Sequence, residues 1–242
     1  MRRTSPDAYE PAPELEVPWE GGWDAARVIA ALSPWVSEER QAKIRAVVDA
    51  RLESVTVVMD APYDPHNGGA VIRSCDAFGV QCVHVIQRTD PFMVARRASR
   101  GSERWVDVHL YNASAPAIER LKASGRTLIA THPQGNLEPQ DLADIPRLAL
   151  VLGNEHAGIS DDLVQASDNS VRIPMRGFVE SLNMSVSAAI LLGAASYGRK
   201  GDFSEASRET LFARGLFRSV ARAQEVLTAT QAAAKEKART CP

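Results

Sequence analysis

Residues 171–192 read Val171-Arg172-Ile173-Pro174-Met175-Arg176-Gly177-Phe178-Val179-Glu180-Ser181-Leu182-Asn183-Met184-Ser185-Val186-Ser187-Ala188-Ala189-Ile190-Leu191-Leu192. A short β-like run, Val171 to Ile173, gives way to an irregular polar loop, Met175 to Glu180. Ser181-Leu182-Asn183 then opens a long apolar run. Ser and Asn accept hydrogen bonds from the first free N–H groups of a helix, so the segment predicts a strand, a loop and a helix N-terminus. Such a terminus presents unpaired amides and a partial positive charge on a rigid base, where a ligand can be held. Taken alone, the segment fits an ordinary connection between a strand and a helix better than a site.

Working outward, the same alternation recurs. Val55 to Met59, Cys82 to Ile86, Trp105 to Leu110, Thr127 to Ala130 and Leu148 to Leu152 read as strands. Gly68 to Phe78, Ser114 to Ser124 (ended by Gly125), Asp161 to Ala166 and Met184 to Tyr197 read as helices. Short apolar strands alternating with helices predict an α/β fold, a parallel sheet with helices on both faces. Ligands of such sheets bind at the carboxyl ends of the strands. Those ends are Asp60-Ala61, Thr131-His132, Gly153-Asn154-Glu155 and Pro174-Met175-Arg176. Residues 1–22, rich in Pro and Glu, read as a disordered or extended arm. Residues 23–54 read as an N-terminal helical extension, 55–200 as the body, and 201–242 as a C-terminal helical extension.

Composition excludes several classes. A chain of 242 residues with 45% hydrophobic and 24% charged content is that of a soluble globular protein. No apolar run reaches membrane-spanning length, and the N-terminus lacks the apolar core of a signal peptide, so the cytoplasm is the expected compartment. Cys75, Cys82 and Cys241 form neither a metal spacing nor a disulfide framework. The net charge of −2 argues against a protein that coats nucleic acid, yet basic residues cluster locally. Arg96, Arg97, Arg100 and Arg104 share one segment. Arg214, Arg218 and Arg222 recur every four residues, which on one helix would align them on one face. A solvated surface explains either cluster equally well.

Two further segments complete the pattern: Asn67-Gly68-Gly69-Ala70-Val71-Ile72-Arg73-Ser74-Cys75-Asp76-Ala77-Phe78-Gly79 and Leu150-Val151-Leu152-Gly153-Asn154-Glu155-His156-Ala157-Gly158-Ile159-Ser160. With the segment quoted first, they resemble, in order, the three motifs of the SpoU/TrmH family of RNA 2′-O-ribose methyltransferases, of the SPOUT class. The likeness runs from about Val55 to Tyr197. Ser99-Arg100-Gly101-Ser102-Glu103-Arg104-Trp105-Val106 is similar to a Gly-Ser…Trp-Val segment of the family's tRNA-guanosine branch.

The resemblance implies a trefoil knot in the C-terminal half, which no local pattern here would suggest. It implies S-adenosyl-L-methionine as cofactor, held by Thr131, Leu152, Gly153, Ile173, Met175 and Leu182, with the adenine among Ile173, Met175 and Leu182. It implies acceptor-side roles for Asn67, Arg73, Glu155, Ser181 and Asn183. Each also has a plainer reading: a helix N-cap for Asn67, Ser181 or Asn183, a surface ion pair for Arg73, a solvated carboxylate for Glu155. A guanidinium stays protonated in proteins, so Arg73 reads better as a bidentate phosphate clamp that stabilises a developing alkoxide than as a base. His66 and His156 flank the site without a required role. The sulfonium donor is already activated, so no metal is expected, and no GxGxxG follows the first strand.

The expected substrate is tRNA, with guanosine 18 of the D-loop foremost. Alternatives are another tRNA position, ribosomal RNA, or a noncatalytic RNA-binding SPOUT protein, which loss of the motif residues would have favoured. The RNA would be gripped by Arg214, Arg218 and Arg222, or instead by Arg96, Arg97 and Arg100. The resemblance further implies a homodimer in which motif-one residues approach the partner's cofactor pocket. Phe178, Leu182 and the apolar helix after Asn183 offer more hydrophobic surface than one sheet face needs.

Overall fold

The computed structural model describes residues 15–88, 92–93 and 95–240, without the side chains of Arg96 and of residues 235–240. The first fourteen residues of the expected arm, and Cys241, lie outside the described residues. The chain divides into two units. Among the described residues, 15–51 and 201–240 make up one, and those within 52–200 the other.

The first unit is helical. Helix α1 (Ala25–Leu32) is capped by Asp24, whose carboxylate accepts the Arg27 N–H at 2.8 Å. Helix α2 (Glu38–Asp49) is capped by Ser37. The two terminal extensions thus share one core, in which Val28, Leu32, Ile44 and Val48 meet Phe203, Leu211, Phe212, Leu216 and Leu227. The end of the expected arm belongs to this core as well. Trp19 is 6% exposed, and its indole N–H donates to the Trp23 carbonyl at 2.9 Å.

The second unit is a six-stranded sheet, all parallel, in the order β3-β2-β1-β5-β4-β6. Its strands are β1 (Leu52–Asp60), β2 (Val80–Ile86), β3 (Asp107–Tyr111), β4 (Thr127–Thr131), β5 (Leu148–Leu152) and β6 (Asn169–Val171). Strands β1 and β5 are buried along their whole length, which is why they read as continuous apolar runs. Helices α3 (Pro65–Ala77), α4 (Arg96–Ser99), α5 (Ser114–Ala123), α6 (Asp161–Ala166) and α7 (Met184–Ser196) surround the sheet. Apolar residues of α3 and α7 fill one large core, and those of α5 and α6 fill another.

Several element boundaries differ from the sequence reading, and three of these differences change how candidate residues are placed. Helix α3 begins at Pro65 rather than Gly68, with Asp64 as its N-cap accepting the His66 N–H at 2.8 Å. Asn67 is therefore inside the helix and is not a cap. Gly68 and Gly69 are buried helix-interior positions. A Cβ on Gly68 would lie 2.6 Å from the Phe92 ring, and one on Gly69 would lie 3.0 Å from the Ala95 carbonyl oxygen. The last strand ends at Val171, which leaves Ile173 in the loop. The C-terminal segment is two helices, α8 (Glu205–Ser219) and α9 (Ala223–Thr240), broken at Arg222 with φ +55°. Among the described residues no helix is long and apolar enough to cross a membrane.

Candidate active site

The loops after β4, β5 and β6 converge at the carboxyl edge of the sheet and enclose a cleft of about 280 Å³. Backbone crossings shape it. Gly135 packs so closely on β6 that a Cβ would lie 2.5 Å from the Val171 carbonyl carbon. Gly153 is equally constrained, with Gly158 C at 2.5 Å and Ile159 N at 2.6 Å from the position a Cβ would take. Asn154 and Gly158 exchange backbone hydrogen bonds of 2.8 and 2.9 Å that hold this turn closed. The side chain of Asn154 accepts the His156 N–H at 2.8 Å and donates to the Ala61 carbonyl at 2.5 Å, joining the turn to the end of β1. All six residues assigned to the cofactor line this one cleft: Thr131, Leu152, Gly153, Ile173, Met175 and Leu182. Its lining combines apolar side chains, among them Leu152, Ile173, Met175, Leu182 and Leu191, with a few polar groups, the usual make-up of a small-molecule site.

A second, wider groove of about 930 Å³ opens alongside, where the loop after β1 meets the start of α3 and the turn after β5. Asn154 and Glu155 line both spaces. Glu155 is the hub. Its carboxylate accepts hydrogen bonds from Asn67 Nδ2 at 2.8 Å, the Tyr63 N–H at 2.9 Å and the Asp64 N–H at 3.3 Å. Asn67 in turn accepts from Asn183 Nδ2 at 2.9 Å. Asn183 also caps α7, its side-chain oxygen accepting the Ser185 N–H at 2.8 Å. Burial would raise the Glu155 carboxyl, but the Asn67 amide and the backbone N–H groups outweigh it and hold the group below the ordinary carboxylate range. One residue from each of the three motifs thus forms a hydrogen-bonded chain, Asn183–Asn67–Glu155. It places an ionised carboxylate and two oriented amides beside the cleft.

A family model described as the SpoU rRNA Methylase family matches residues 54–193. The chain belongs to this family. It is 33% identical to the tRNA (guanosine(18)-2′-O)-methyltransferase of Borreliella burgdorferi over 172 residues, 70% of this chain and 78% of that protein. The crystal structure of the Aquifex aeolicus TrmH/SpoU tRNA modifying enzyme superposes with a TM-score of 0.69 at 25% identity, covering 76% of this chain and 98% of that one. The SpoU methyltransferase AviRb from Streptomyces viridochromogenes, in complex with the cofactor AdoMet, gives a TM-score of 0.53 at 27% identity, over 64% and 62% of the two chains.

Within this SpoU methylase unit, the expected site residues divide. Asn67, Glu155 and Asn183 meet in the groove, while Ser181 lines the cleft and is not joined to them. Glu155 holds the loops together and does not hold Arg73. Arg73 sits on the outward face of α3, exposed, and lines neither space. Six residues after Asn67, it points about a third of a turn away. Among the described residues no group of three or more His, Cys, Asp or Glu could hold a metal ion.

The arginine stripe of the C-terminal segment does not exist as expected. Arg214 is 4% exposed, inside the apolar face of α8, and Arg218 is half-buried. Arg222 stands beyond the end of α8, exposed, with Glu225 3.7 Å away. The helix break removes the common face on which the spacing argument rested. In the other cluster, Arg97 and Arg100 are exposed at α4 and just after it, and the side chain of Arg96 is not among those described. Sequence reasoning passed over Tyr63, which lines the groove, and set His156 aside.

Proposed function

We propose that this protein transfers the methyl group of S-adenosylmethionine to the ribose 2′-hydroxyl of guanosine 18 in tRNA. The observation that carries the reading is the adjacency of an apolar cleft built on backbone and a groove holding the Asn183–Asn67–Glu155 chain, with Glu155 edging both. The similar proteins named above supply the substrate class. The cleft fits the cofactor: Leu152, Ile173, Met175 and Leu182 offer apolar contact for an adenine, and Gly153 and its neighbours offer backbone groups. The bound cofactor supplies a methyl group on a sulfonium, already activated toward an oxygen nucleophile. The chain's own task is then to align the 2′-hydroxyl and ease loss of its proton. Asn67 and Asn183, fixed by Glu155 and the α7 cap, orient the ribose. Arg73 clamps the neighbouring phosphate and stabilises the developing alkoxide.

Arg73 performs this role from the partner protomer of a homodimer. Supporting this, Arg73 lines neither space of its own chain, and Val186 and Ile190 on α7 and Tyr197 just after it are exposed apolar side chains. Exposed apolar surface of this kind suits a protein interface. The tight passage of Gly135 over the end of β6 suits a trefoil knot. RNA is gripped at Arg97 and Arg100. Mapping ribose methylations in total RNA with and without the protein tests the reading. It predicts loss of one methylation, at the D-loop guanosine. An unchanged tRNA map rejects it.

A further inference from the structure

The acceptor groove contains an aromatic surface that the reaction as described leaves unused. Tyr63 is 70% exposed, and His156 meets its ring edge-on, centroids 4.9 Å apart at 74°. Both side chains spring from backbone that the site itself fixes. The Tyr63 N–H donates to Glu155, and the His156 N–H donates to Asn154. The Tyr63 ring thus lies beside the groove, largely open to water, although a tyrosine body is apolar and gains by being covered.

The polar groups of the facing wall are already engaged. Gln87 accepts the Phe92 N–H at 3.0 Å and donates to Asn112 at 3.0 Å, and Arg88 is bonded to Asp60, Ser160 and Asp162. Phe92 and Met93 complete that wall. The groove thus offers a ligand the apolar surfaces of Tyr63, Phe92 and Met93 beside the polar groups of Asn67, Asn154, Glu155 and Asn183. The Tyr63 N–H and Asn67 Nδ2 bond the same carboxylate, so the ring begins one side chain away from the group assigned to the ribose. A nucleobase stands at about that remove from its own 2′-hydroxyl.

Resting on the function proposed above, we propose that Tyr63, braced by His156, is the stacking platform for the base of the acceptor nucleotide. Proteins that recognise nucleotides in RNA loops splay the bases out and stack them on aromatic side chains, and such a face compensates the lost base stacking.

The test compares wild type, Tyr63→Ala and Tyr63→Phe on an unmodified tRNA transcript. Tyr63→Ala is expected to lower kcat/KM for tRNA by about tenfold or more, the usual loss when a base-stacking aromatic is removed. Tyr63→Phe should restore most of it, and calorimetry should show unchanged cofactor affinity in both variants. A transcript carrying fluorescent 2-aminopurine at the acceptor position should be quenched on binding wild type and not on binding Tyr63→Ala. Equal kcat/KM in Tyr63→Ala and wild type, or equal quenching, overturns the proposal. A wild-type protein that methylates no tRNA overturns the function reading, and the platform falls with it. That outcome is distinguishable because no variant is involved.

Discussion

The cleft and the groove share Asn154 and Glu155 but are built of different material. In the cleft, main chain packs on main chain: Gly153 against Gly158 and Ile159, with Gly135 on Val171 beneath. In the groove, side chains from three distant segments bond one another: Asn183 to Asn67, and Asn67 to Glu155. The backbone frame of the cleft does not tolerate an added Cβ at its glycines. A side-chain groove is sensitive instead to truncation, since removing one amide unpairs the next. Cofactor binding and acceptor handling should therefore come apart under mutation.

Gly153→Ala should give the largest effect. The added methyl meets backbone, which cannot rotate away, and overpacking of this kind costs about 1–3 kcal/mol and sometimes more. A lowered Tm and lost calorimetric binding of S-adenosylmethionine are expected, and wild-type affinity would break the contrast. Arg73→Ala should abolish methyl transfer while leaving cofactor affinity nearly unchanged, because Arg73 lines neither space. Arg73→Lys should fail too, lacking the bidentate fork. Transfer at the wild-type rate by either variant contradicts the assignment.

Glu155 sharpens the comparison through pH. Its carboxyl is held below the ordinary value of 4.5, so the folded form binds a proton less readily than the unfolded chain. The stabilisation is present above that ordinary value and is lost as pH falls through the depressed one. Unfolding free energies measured from neutral to acid pH should fall less steeply for Glu155→Gln than for wild type over that window. Identical slopes would mean the hub carries no net charge-linked stability. The smallest effect is expected at the RNA surface. Replacing Arg97 and Arg100 with Gln should reduce the slope of log tRNA affinity against log salt by roughly 0.7–0.9 for each phosphate left without its arginine. Arg214→Gln should leave that slope unchanged and lower the Tm, since Arg214 is buried in the helical unit.

How much of this was legible in sequence depended on the range of the interaction. The bounds of β5 and α6 coincide with the apolar run Leu148–Leu152 and the segment Asp161–Ala166, because local pattern decides both. The start of α3 was legible and misread. Asp64-Pro65 is a cap followed by a first-turn proline, but Gly68-Gly69 drew the boundary inward. The reason for two glycines inside a helix is the Phe92 ring and the Ala95 backbone lying on them, which no local pattern contains. The break at Arg222 carries no Gly or Pro to announce it and is fixed by burial of Ala223 and Leu227, so the arginine spacing misled. The Asn67–Glu155 and Asn67–Asn183 bonds span 88 and 116 residues. Periodicity could place their loops on one sheet edge, and only the order of the three motifs suggested that the side chains meet.

The most direct test is a reaction of purified protein with labelled S-adenosylmethionine and two tRNA transcripts, one unmodified and one carrying a 2′-deoxy guanosine at the D-loop acceptor. After digestion to nucleosides, the account predicts label in 2′-O-methylguanosine from the first transcript and none from the second. Label on a base, or equal label from both transcripts, would contradict it.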